Sequence, residues 1–245
     1  MVRAYQSLEG LCCGDAFGER FFIPKEVAIP LIDQRSVPAP PWIFTDDTMM
    51  AISIVSTLEE HSGINQDHLA MSFARNYDSS RGYGPAMHGL LSRIRERRGH
   101  WQEEAQALFG GQGSFGNGSA MRVAPVGAYF ADDLDMVVEH AERSAVTTHR
   151  HAEGVAGAIA VALAAALAWR QRKSSQLPSA DEFLRQIHER TPPSEVRSGI
   201  RVASEISKDT PVRVAASVLG NGSMVSAQDI PTLTEFHSKH GLRTT

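Results

Sequence analysis

Cysteine is almost missing from this chain. Its 245 residues contain two, Cys12 and Cys13, and they are adjacent. Neighbouring cysteines rarely bridge to each other, and no third thiol is on offer, so a disulfide framework is excluded and a reducing compartment, the cytoplasm, is expected. The opening MVRAYQSLEG has no apolar signal-peptide core, which agrees with that placement. An excess of positive charge is lacking too. The net charge of −4 at pH 7 gives no reason to expect a nucleic-acid partner. The densest basic run, Arg93-Ile94-Arg95-Glu96-Arg97-Arg98, is spaced like a solvated helix face. No apolar run reaches membrane length: the longest, Val155 to Trp169, has 15 residues, against the ~20 that cross a bilayer. Its alanines and glycines predict a core helix that neighbours approach closely, with no membrane partner. Period-two alternation is also scarce, which argues against sheet.

Helical signals fill the space that strands do not. Asn65 caps a segment with Leu69, Phe73 and Tyr77 four apart. Ser179 caps another, which stops before Pro192 and Pro193, and Val196, Ile200, Ala203 and Ile206 form a stripe on the next. Asp133-Leu134-Asp135 opens an amphipathic helix as its cap. The polar stretch near residue 175 reads as a surface linker inside one core, and no internal repeat is found. The expected architecture is all-α: a compact, single-domain helical bundle over residues 1–229, joined by glycine-rich loops. Residues 230–245 are an atypical, aperiodic tail.

Two stretches carry chemistry. In PPWIFTDDTMMAISIVSTLEE, Thr45 can cap a helix whose first turn holds Asp46 and Asp47, where acids complement the helix dipole. The same three residues can instead offer clustered oxygens to a hard divalent cation. In FGGQGSFGNGSAMRVAPVGAYF, Gly111, Gly113 and Gly116 satisfy G-x-G-x-x-G, but a helical segment precedes them where a dinucleotide fold needs a strand. A P-loop fails as well, for want of a lysine between Gly118 and Ser119. What survives is an anion cradle on Gly116, Asn117, Gly118 and Ser119, with a helix starting near Ser119, or a tight loop without a ligand. SAVTTHRHAEG adds His149 and His151. At a helix start their side chains diverge, so a single structural or substrate-contacting histidine is expected rather than a metal pair.

Together GLCCGDAFGERF, WIFTDDTMMAISIVSTL, GSFGNGSAMRVAPVGAYF and SAVTTHRHAEGVAGAIAVALA resemble, in order and spacing, the ADP-ribosylglycohydrolase family, over residues 8 to 229. The resemblance implies an all-α domain that holds two magnesium ions and cleaves the glycosidic bond between ADP-ribose and an acceptor, a protein side chain or small molecule. It implies Thr45, Asp46 and Asp47 as half of the metal ligands, with Asp46 or Asp47 assisting the attacking water as catalytic carboxylate. It implies a substrate cradle from Ser114 to Arg122, including Gly116, Asn117, Gly118, Ser119 and Met121, with His149 near the ribose and Asp15 supporting the loop structure. Two departures stand out. Phe22 occupies the position where members often carry glutamate, so Glu19 becomes the candidate for a gating acid. The family's second metal cluster, Asp-x-Asp-Thr, has no counterpart after Asp229. That absence and the aperiodic end suggest a shortened version of a longer enzyme. They leave open an ADP-ribose-binding module without turnover. Acceptor and oligomeric state are not legible.

Overall fold

The computed structural model describes residues 1–97, 100–172, 179–207, 209–220 and 226–229. The tail 230–245, Arg98 and most of the polar stretch near 175 lie outside these described residues.

Twelve α-helices and no strand are found among the described residues. They run α1 Val2–Gly18, α2 Lys25–Asp33, α3 Asp46–His61 and α4 Gln66–Asn76. Next come α5 Pro85–Arg97, α6 Trp101–Gly111, α7 Ala124–Tyr129 and α8 Leu134–Ala145. The chain continues with α9 Ala152–Gln171, α10 Ala180–Arg190, α11 Glu195–Glu205 and α12 Val212–Leu219. The all-α expectation holds. So do the caps: Asn65 accepts from His68 N, Asp133 from Asp135 N and Met136 N, and Ser179 from Glu182 N. Each satisfies backbone donors that a helix start leaves without a partner.

Helix α9 organises the molecule, with α7, α8, α10 and α11 packed against it. It is long and apolar enough to cross a membrane by composition, yet its Ile159, Ala160, Leu163 and Ala166 are buried by these neighbours. Its small residues are what allow the approach. A Cβ built on Gly127 of α7 would lie 2.0 Å from the Ala162 carbonyl oxygen, so only glycine permits this contact. Helix α3 packs against α1, α4 and α7, which places its N-terminus against the core rather than at the rim.

Three local expectations change. The helix predicted to start near Ser119 is a three-residue 3-10 turn, Asn117–Ser119, and the α-helix begins only at Ala124, with Pro125 in its first turn fixing the start. The helical segment before the glycine loop breaks its regular dihedrals at Leu108–Gly110. Within the described part of the basic run, Arg95 and Glu96 are exposed and Arg93 is half-buried. Ile94 is fully buried, and Arg93 reaches the buried Glu104 at 2.5 Å.

Candidate active site

The first turn of α3 is built from α1. Asp15 aims its carboxylate at the start of α3 and accepts four hydrogen bonds there. Thr45 N and Oγ1 donate at 2.8 and 2.7 Å, and Thr48 N and Oγ1 at 3.2 and 2.6 Å. One carboxylate therefore clamps both threonines that bracket the acid pair. Thr45 is also the N-cap, its hydroxyl accepting from Asp47 N at 3.4 Å, so the cap reading and the cluster reading describe the same residues. Because the Thr45 hydroxyl proton goes to Asp15, the oxygen keeps lone-pair density for another partner.

Asp46 is buried and Asp47 half-buried. Desolvation, with Asp15 and Glu19 adding repulsion, pushes the Asp46 carboxyl up to about 6, although Arg122 opposes the shift. Desolvation, then Asp46 and Asp15, push Asp47 up to about 7. Three acids converge on a dehydrated spot, and no side-chain cation makes an ion pair with any of them among the described residues. A hard divalent cation fits such a donor set of two carboxylates and a hydroxyl oxygen whose proton is directed away. Glu19, exposed in the 3-10 turn Glu19–Phe21 that follows α1, is the acid whose charge reaches Asp46. Phe22 is 84% exposed, out in solvent.

The glycine loop is held from several sides. Ser114 Oγ accepts from Gly116 N, and Ser119 Oγ donates to Gly154 O of α9 at 2.7 Å. Ser114 and Ser119 are thus buried and shape the loop, while Gly116, Asn117, Gly118 and Met121 stay partly accessible. Residues 226–227 return to the same loop: Ser226 bridges Gly116, and Ala227 N donates to Phe115 O.

Beneath the loop lies a polar core that the sequence did not reveal. Arg122 is fully buried, its guanidinium 4.4 Å from the centre of the Phe73 ring. It donates to Ser144 O at 3.1 Å and to Thr148 Oγ1 at 2.9 Å, and its Nε is buried without a partner. Burial pushes the guanidinium down to about 9, with Tyr83 and Asp46 holding it up. Thr148 Oγ1 continues the chain to His149 Nδ1 at 2.7 Å. Burial, then the Arg122 charge, push His149 down to about 3, so its imidazole is neutral. The ring backs onto the loop: a Cβ on Gly118 would sit 2.8 Å from His149 Cε1. His151 turns away instead, capping α9 through Nδ1 and meeting the Phe115 ring, so the two histidines diverge as their spacing implies. Tyr83, whose phenol is pushed up by burial and then by the Asp46 charge, was missed because no motif contains it.

An acid pair clamped at a helix start, with a buried arginine whose charge reaches Asp46, is set in an all-helical protein. The chain belongs to the ADP-ribosylglycohydrolase family, whose family model matches residues 2–234. It is 36% identical to human ADP-ribosylhydrolase ARH3 over 147 residues, 59% of this chain and 39% of that protein. The Xenopus tropicalis ADP-ribosylhydrolase ARH3 is 38% identical over 124 residues, 49% of this chain and 35% of that one. An uncharacterized protein of Archaeoglobus fulgidus is 30% identical over 191 residues, 76% of this chain and 57% of that one. The chain thus spans about two fifths or less of the length of these ARH3 relatives.

Proposed function

We propose that this chain is an ADP-ribosyl glycohydrolase that works with magnesium held by Thr45, Asp46 and Asp47. The observation that carries the reading is the Asp15 clamp on Thr45 and Thr48, which presents two dehydrated carboxylates without an ion-pair partner. Family membership and the likeness to proteins called ADP-ribosylhydrolase support it.

The chain's own residues divide the work. Backbone N–H groups of Asn117 and Gly118 receive the diphosphate, and Gly116 and Gly118 let it approach the main chain. Neutral His149, held behind Gly118 by Thr148, fixes the floor of that cradle next to the ribose. Arg122 ties the end of the loop to α8 and to the Phe73 ring, and its charge steadies Asp46. A bound magnesium ion supplies positive charge to orient ribose hydroxyls and water. Asp46 or Asp47 accepts the proton of the attacking water as the bond to the acceptor loosens towards an oxocarbenium-like state. Glu19 is the acid that borders this space. Substrates of this kind are ADP-ribosylated proteins or small molecules, and the two free cysteines, Cys12 and Cys13, suit work in a reducing cytoplasm.

Release of ADP-ribose from ADP-ribosylated arginine and serine substrates, with and without magnesium, tests the reading. Magnesium-dependent release that Asp46→Ala abolishes is expected. Retention of ADP-ribose binding with no release, at any magnesium concentration, would replace the hydrolase by a binding module.

A further inference from the structure

At the far end of α3, roughly 20 Å from the acid pair along the helix axis, Glu60, His61 and His68 bring three ligand atoms together within 4.8 Å of one another. Glu60 Oε2 lies 3.1 Å from His68 Nε2, and Glu60 Oε1 lies 3.7 Å from His61 Nε2. The two imidazoles sit edge to face, with ring centres 4.6 Å apart. Ligands at about 2.0–2.2 Å from a tetrahedral zinc ion stand roughly 3.3–3.5 Å from one another, so these separations need only small side-chain shifts to close on one ion.

The buried partner of His68 Nδ1 is what distinguishes the cluster from an ordinary surface ion pair. Thr57 Oγ1, fully buried, gives its single proton to Ser53 O at 2.8 Å. Towards His68 Nδ1, 3.1 Å away, that oxygen can therefore only accept. With Nδ1–H given to Thr57, Nε2 is the atom that faces the Glu60 carboxylate, placed either to share a proton with it or to ligate a metal ion. That 3.1 Å contact is bridged by a proton when no metal is bound and can be opened to an ion that replaces the proton. A hydrogen bond from the distal ring nitrogen generally fixes the ring of a metal-ligating histidine, and the buried Thr57 hydroxyl is the partner in that position here.

We propose that Glu60, His61 and His68 form a second metal site, selective for zinc-class ions over magnesium, with solvent completing the coordination. Two imidazoles and one carboxylate suit zinc, whereas magnesium prefers all-oxygen ligands. The site joins the last turn of α3 to the first turn of α4 across the loop 62–65, so its occupancy stabilises that junction. It is independent of the hydrolase reading.

The experiment is zinc titration of the metal-stripped full chain at pH 8, against a chromophoric chelator, with excess magnesium filling the acid pair. Cys12→Ser/Cys13→Ser serves as the background, removing the other soft ligands. One zinc site is expected, weakened at least about 10-fold by His61→Ala or His68→Ala and about 10–100-fold by Thr57→Val, which leaves all three ligands in place. Zinc should also raise the thermal midpoint of the background chain but not that of His68→Ala. Melts in chelator show that each variant is folded. An isotherm of His61→Ala/His68→Ala that superimposes on the background, or no zinc site at all, would overturn the proposal and leave a plain ion-pair cluster.

Discussion

His149 shows how one residue couples the site to stability. Its folded-state pKa, about 3, lies below the ordinary value of 6.5 because burial and Arg122 disfavour the imidazolium. The folded chain therefore holds fewer protons than the unfolded chain between those values. The contribution of this residue is complete above pH 6.5 and is lost as pH falls towards 3. Chemical unfolding of wild type and His149→Gln between pH 7 and pH 4 should separate: wild type loses on the order of a few kcal/mol to this residue, and the variant loses measurably less. Gly118 is constrained by the same ring. Gly118→Ala should weaken ADP-ribose binding by about 10-fold or more, because its Cβ would meet His149 at 2.8 Å and one of the two must move. Sequence spacing could single out His149 and Gly118, but not that they touch; the contact depends on the connection between α8 and α9 carrying His149 beneath a loop about thirty residues earlier.

At the scale of elements, the start of α3 depends on α1. Asp15→Asn keeps the shape but replaces an acceptor-only carboxylate under four donors, and the amide end must face at least one of them. A loss of about 1–3 kcal/mol in unfolding free energy is expected, with magnesium affinity down about 10–100-fold as Thr45 loses its orientation. Denaturant melts and magnesium titration of the same sample check both. The contact of α7 with α9 is equally exacting. Gly127→Ala puts a methyl 2.0 Å from a carbonyl oxygen in the centre of the body, and should cost about 3 kcal/mol, read as a drop in thermal midpoint. Helix caps and apolar stripes were legible because they are local: Asn65, Asp133 and Ser179 each act within three residues of themselves. The turn at Asn117–Ser119 was not, since its shape is set by long-range bonds from Ser119 to Gly154 and from Ala227 to Phe115.

For the whole molecule, the acid pair sets a linked response to pH and cation. Asp46 and Asp47 have folded pKa values of about 6 and about 7, above the ordinary 3.8. Folded chain without cation therefore binds protons more tightly than unfolded chain, and its stability falls as pH rises through that window. A divalent cation offsets the loss. At about 100 times Kd, magnesium should add about 2.7 kcal/mol, or roughly 5–10 °C in the thermal midpoint, at pH 8, and much less at pH 5 where protons compete. Equal shifts at both pH values would detach the cation from these carboxylates.

The motifs that mark the family, T-D-D-T and G-N-G-S-A-M-R, were readable as strings. The internal arginine that joins them was not, because nothing in a sequence tells a buried Arg122 from a solvated one. The most direct test of the central claim is calorimetric titration of the chain with ADP-ribose, with and without magnesium, for wild type and Asp46→Ala. The account predicts binding that magnesium strengthens in wild type, with that magnesium effect gone in the variant. Identical magnesium responses in the two proteins, or ADP-ribose binding in neither, would contradict it.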